Sequence, residues 1–153
     1  MNGKRGLEYT VLALAALVAL ATCATLQQDE RRMESIARLV NVGQAEKLAA
    51  MSTVPFLLDQ EILVLPQDVA YFWKSILAAG YRLEEPQVER GSAVGPESYR
   101  EFRDSMEVRT FFKKYVKKGT RLLELKTGDG QRVLLLVRFT AFSRRISGFK
   151  GPY

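Results

Sequence analysis

The chain has 153 residues, 47 % hydrophobic and 26 % charged, with 23 Lys/Arg against 17 Asp/Glu, no histidine and one cysteine. That length suits one domain with one core, and the composition is that of a folded chain rather than a disordered one. The absence of histidine excludes an imidazole base, a Ser-His or Cys-His nucleophile and the usual zinc ligand, and the single Cys23 can form neither an internal disulfide nor a thiolate cluster, so no metal or cofactor is expected.

Charge is unevenly placed. Residues 1–104 carry 11 Lys/Arg and 14 Asp/Glu, whereas residues 105–153 carry 12 and 3. A solvated basic face accounts for this, and contact with an anionic surface is the sharper alternative.

Lys4 and Arg5 precede eleven apolar residues, 11–21, and then Thr22, Cys23 and Ala24. This charged, apolar, small-residue order is that of a secretory signal, and the run is short of the ~20 residues a simple span wants. Leu20-Ala21-Thr22-Cys23 resembles the bacterial lipoprotein box, with Cys23 the lipidated residue, although threonine departs from the usual small residue before the cysteine. Three readings stay open: lipoprotein, uncleaved anchor with Lys4 and Arg5 held inside, and cleavage without a lipid. All place the domain over 27–153 outside the cytoplasm, in the cell envelope, behind a leader over 1–26.

From Asp29, Met33, Ile36, Ala37 and Val40 recur at helical spacing, predicting a helix that ends near 41–43. A short second helix follows over 45–51, with Gly43 as the stop between them. Residues 56–65 read as a small hairpin around a polar tip. Pro66 and Asp68 open a third helix whose stripe is Val69, Phe72, Trp73, Ile76 and Leu77, closed by Gly80. One strand is expected near 81–88, followed by a loop punctuated by Gly91, Gly95 and Pro96. Val108, Phe111, Phe112, Tyr115 and Val116 predict a helix over 104–118, with Lys113, Lys114, Lys117 and Lys118 at its C-terminal end, where cations suit the dipole, and Gly119 as cap. Gly128-Asp129-Gly130 is a turn between strands over 121–127 and 131–142, the second presenting Val133, Leu135, Val137, Phe139 and Ala141 on one face. A last strand is expected over 144–149.

The stretches MESIARLVNVGQAEKLAAM and FLLDQEILVLPQDVAYFWKSIL, in this order of helices and hairpin, resemble the first half of the nuclear transport factor 2-like superfamily, which includes ketosteroid isomerases, polyketide cyclases and non-enzymatic modules. The resemblance implies an α+β fold in which N-terminal helices pack on a curved, cone-like antiparallel sheet with a pocket inside its open end. The helix over 104–118 is not standard for that family and leaves the second half open, a different α+β sheet being the alternative. In the isomerases a carboxylate ahead of the third helix shuttles the proton, and Asp59 falls near that place; the tyrosine that stabilises the oxyanion is matched here by Ile36, so the preorganised donor is missing.

Phe72, Trp73 and Tyr81 are the candidate ligand-binding residues, each also readable as core. Lys113, Lys114, Lys117 and Lys118 are the candidate anionic-surface residues; an exported domain has no expected nucleic-acid partner. The expected function is a membrane-tethered, non-catalytic binding module for a small apolar ligand or an envelope protein, with a homodimer left open. The alternatives are an isomerase- or cyclase-like enzyme using Asp59 as general base, and a structural subunit whose basic helix docks on anionic lipid.

Overall fold

A computed structural model of the chain describes residues 25–153. The leader's basic pair, its apolar run and the candidate lipidation site Cys23 lie outside the described residues. Among the described residues no helix is long and apolar enough to cross a membrane.

The first helix, α1, runs through 25–41 and buries Met33, Ile36, Ala37 and Val40, the stripe that its spacing predicts. It stops where Gly43 takes a φ of +72°, letting the amides of Gly43 and Gln44 close on the carbonyls of Val40 and Leu39. Helix α2, Ala45–Met51, leads directly into strand β1, Ser52–Leu58, which forms a hairpin with β2, Glu61–Leu63. Helix α3, Pro66–Ala78, starts on its proline and buries Val69, Trp73 and Leu77.

Strand β3, Gln87–Ala93, is followed by a 3-10 turn at Ser98–Glu101 and by helix α4, Met106–Tyr115. Strands β4, Thr120–Lys126, β5, Arg132–Phe139, and β6, Arg144–Lys150, complete a curved, unclosed sheet in the order β2-β1-β6-β5-β4-β3. The sheet is mixed, not antiparallel as expected. β1 runs parallel to β6, and every other neighbouring pair is antiparallel. A parallel pair needs a long crossover, and the whole chain between the first hairpin and the last strand supplies it.

Four boundaries differ from the sequence reading, the first being the start of the hairpin, which lies at Ser52 rather than at 56. The strand expected at 81–88 lies at Gln87–Ala93, because Asn41 captures both backbone groups of Leu83, accepting from its amide at 2.7 Å and donating to its carbonyl at 2.9 Å. Helix α4 is shorter than 104–118: the Ser105 hydroxyl caps its first turn by accepting from the Val108 amide, and Val116 is already extended. β5 stops at Phe139, so Ala141 and Phe142 lie in the β5–β6 loop, which Thr140 and Ser143 close by hydrogen bonds.

Both faces of the sheet are covered. Along β5, Val133, Leu135 and Val137 face the core shared with α1, α2 and α3, while Leu134 and Leu136 face a second core with Phe111 and Phe112 of α4. All five are at most 2 % exposed, so this strand is buried on both sides. α4 therefore adds a layer on the far face, and the order of the six strands is undisturbed.

Candidate functional site

The aromatic residues of α3 meet those of the sheet in one cluster. Phe72 packs on Phe149 at 5.5 Å between ring centroids, Trp73 on Phe149 at 5.9 Å, and both approach Phe56. Each tilted or edge-on pair adds ~0.5–1.5 kcal/mol beyond its buried area. Trp73 is 1 % exposed, and its indole N–H donates to Ser52 Oγ at 2.9 Å, which in turn donates to the Leu48 carbonyl. Its polar tip is satisfied inside the core. Phe72 is half-buried and reaches the surface.

Tyr81 closes the cluster, its ring edge-on to Phe149 at 5.9 Å and 89°. Its hydroxyl is buried and has no hydrogen-bond partner among the described residues. Burial, together with the nearby Asp129 carboxylate, pushes its ionisation well above the usual phenol range. The residue lines a cavity of about 440 Å³ with Ile76, Gly80, Arg82, Glu84, Asp129 and Pro152. A second, more apolar groove of about 630 Å³ runs between α3 and the β1–β2 hairpin, lined by Leu58, Leu63, Tyr71, Phe72 and Ile76, with Asp59 and Asp68 at its rim. Ile76 belongs to both, so the two openings flank one end of α3. Of the three ligand-binding candidates, Phe72 and Tyr81 face open space and Trp73 does not.

Asp59 is exposed at the hairpin tip, with a φ of +52°. Its carboxylate accepts from the Gly151 amide at 2.9 Å, and its own amide donates to the Phe149 carbonyl at 2.8 Å. Both interactions are those of an aspartate holding a turn against the C-terminal segment. Ile36, which the sequence resemblance sets against the isomerases' tyrosine, is fully enclosed in the core. Ile36 therefore offers no oxyanion donor, and the hydroxyl residues that share a groove with Asp59 are Tyr71 and Ser75.

Lys113, Lys114, Lys117 and Lys118 are all exposed. Lys113, Lys117 and Lys118, with Arg109, rim a groove of about 690 Å³ whose floor is Val94, Phe112 and Val116, and Lys114 points elsewhere on α4. Arg109 is held by a donated bond to the Tyr99 hydroxyl at 2.7 Å and lies over its ring. The sequence reading missed the rest of the basic surface, Arg138, Arg144 and Arg145, which the antiparallel β5–β6 pairing brings side by side. It also missed Phe142, because a strand continued to 142 hides a loop residue. The signal was present in Thr140 and Ser143, whose hydroxyls favour turns.

An acidic cleft of about 820 Å³ lies between α1 and 83–89, with Glu30, Glu34, Glu85 and Glu89 around Arg38. Among the described residues no group of three His, Cys, Asp or Glu side chains is arranged to hold a metal ion.

No known family model and no curated protein sequence matches this chain.

Proposed function

We propose that this chain is a membrane-tethered, extracytoplasmic binding module of the nuclear transport factor 2-like type, which holds a small apolar ligand bearing one hydrogen-bonding group and catalyses no reaction. The tether is read from the leader and Cys23. The cone-like reading is supported by the run of helix, helix, hairpin and helix ahead of the remaining strands, and by a first strand that returns beside the last.

The observation that carries the binding role is the buried Tyr81 hydroxyl, unpartnered among the described residues, on a side chain that lines an open cavity with apolar Ile76. An orphaned buried hydroxyl costs ~1–3 kcal/mol, and a ligand that pairs with it recovers part of that. Asp59 turned to solvent and bonded to Gly151 favours binding over the isomerase-like alternative.

The test compares the purified full chain with its Tyr81→Phe variant in the same micelles, using 2-naphthol as probe and saturation-transfer NMR as readout. The variant should bind about 2–10-fold more weakly, the worth of one neutral hydrogen bond. Equal binding by both chains, or no saturable binding by either, overturns the reading.

A further inference from the structure

One end of the sheet gathers three features that the tethered reading does not by itself require. The β-pairing places the start of β4, the end of β5 and the start of β6 together, since Thr120 is opposite Arg138, Arg138 opposite Arg145 and Phe139 opposite Arg144. Lys117 and Lys118 stand immediately ahead of β4. Between β5 and β6 the side chain of Phe142 is wholly exposed, at 101 %. A lone aromatic standing free among cations is costly in water and well placed at a headgroup interface.

The chain also enters the fold at this end. Asp29, in the second turn of α1, is bound by Arg121 at 2.6 Å, and Arg32 lies over the Phe139 ring at 5.3 Å. The first 24 residues, which include the apolar run 11–21, therefore join the domain where the basic residues and Phe142 are. The acidic groups nearby are few. Asp29 is taken up by Arg121, Glu97 by Arg100, and Glu30 lies in the cleft beside β3. Among the described residues no ion pair engages Lys117, Lys118, Arg138, Arg144 or Arg145.

We propose that this end of the sheet docks on an anionic phospholipid leaflet, with Phe142 at headgroup depth and Arg138, Arg144, Arg145, Lys117 and Lys118 against the lipid phosphates. The proposal rests on the tethered reading, because the leader is what brings this end to the bilayer. It fixes an orientation. The basic end faces the membrane, and the Tyr81 cavity, beside the β4–β5 turn at the opposite end, faces away.

The test uses the full chain carrying Phe142→Trp, reconstituted in phosphatidylcholine vesicles with and without phosphatidylglycerol and containing brominated phosphatidylcholine. The parent chain is the blank, since its one tryptophan, Trp73, is 1 % exposed. The introduced indole should shift to the blue and be quenched by bromine only when phosphatidylglycerol is present. Each basic side chain near an anionic leaflet changes the docked-to-undocked ratio about fivefold, so Arg138→Glu, Arg144→Glu and Arg145→Glu together should abolish the quenching. High salt should release it as well, which keeps the test decisive if the triple variant fails to fold.

An indole that stays unquenched on chains that float with the vesicles overturns the docking and leaves the tether standing. Quenching that is equal in both vesicle types also overturns it, since phosphate contact then plays no part. Chains that float with neither vesicle remove the tether and the docking together.

Discussion

Tyr81 sets two opposed free energies against each other. Burying most of a ~200 Å² aromatic side chain gains about 3 kcal/mol, which offsets the ~1–3 kcal/mol cost of an orphaned hydroxyl. The ring therefore stays in against Phe149 although its oxygen goes unpaired among the described residues. Tyr81→Phe keeps the gain and removes the cost, so the free variant should be about 1 kcal/mol more stable to denaturant, read from Trp73 emission. A less stable variant would mean that the hydroxyl is already satisfied. The raised ionisation adds a pH signature. The folded state keeps the phenol proton where the unfolded chain loses it, so stability is whole below the unfolded value near ~10 and declines as pH rises beyond it. Tyr81→Phe should flatten that alkaline decline.

The tie between α1 and the β3 edge depends on a missing side chain. A Cβ on Gly91 would stand 2.7 Å from the Asp29 carboxylate and 3.1 Å from the Arg121 guanidinium. Asp29 is 1 % exposed and cannot swing into water without breaking its pair with Arg121. Gly91→Ala should cost ~1–3 kcal/mol, and Asp29→Ala about 3 kcal/mol by leaving Arg121 unpaired. If the pair is the cause, the two losses should fall well short of additive in the double variant, as measured by urea titration.

The same glycine shows why β3 was hard to read. α1, α2, α3 and the β4–β5 hairpin were legible because apolar periodicity and turn residues both encode them. β3 carries Val88 as its one buried hydrophobic residue and pairs along Arg90, Gly91 and Ser92 after a register shift at Glu89, so its place is set by Asp29, Arg121 and the β4 register. Polar partners distant in sequence leave no period. The candidate site was legible in part: Phe72 and Tyr81 stand out as aromatic residues on and just after an amphipathic stripe. That Trp73 points inward to Ser52, and that Tyr81 lacks any such partner among the described residues, depends on packing that no spacing records.

At the scale of the whole molecule the two ends of the sheet differ in kind. One end carries the entering chain, the cations and Phe142; the other carries the Tyr81 cavity, Asp129 and the Asp59 tip held by Gly151. The sheet that joins them has β6 in its middle, between β1 and β5. Deleting residues 144–153 should therefore do more than trim an edge. It separates the β1–β2 hairpin from β5 and strips Ile146 and Phe149 from the main core, so the truncated chain should show no cooperative unfolding transition. A sharp transition in that chain would mean that the remaining strands make a stable sheet without it.

The position of β6 also bears on timing. The strand that completes the middle of the sheet is made after the other five, and its parallel partner β1, which sets Ser52 against Ile146, is separated from it by three helical segments and four strands. Contacts so remote in sequence form late. The β1–β2 hairpin thus stays without its neighbour in the sheet until β6 has been made, and the six strands lock together only when that strand arrives.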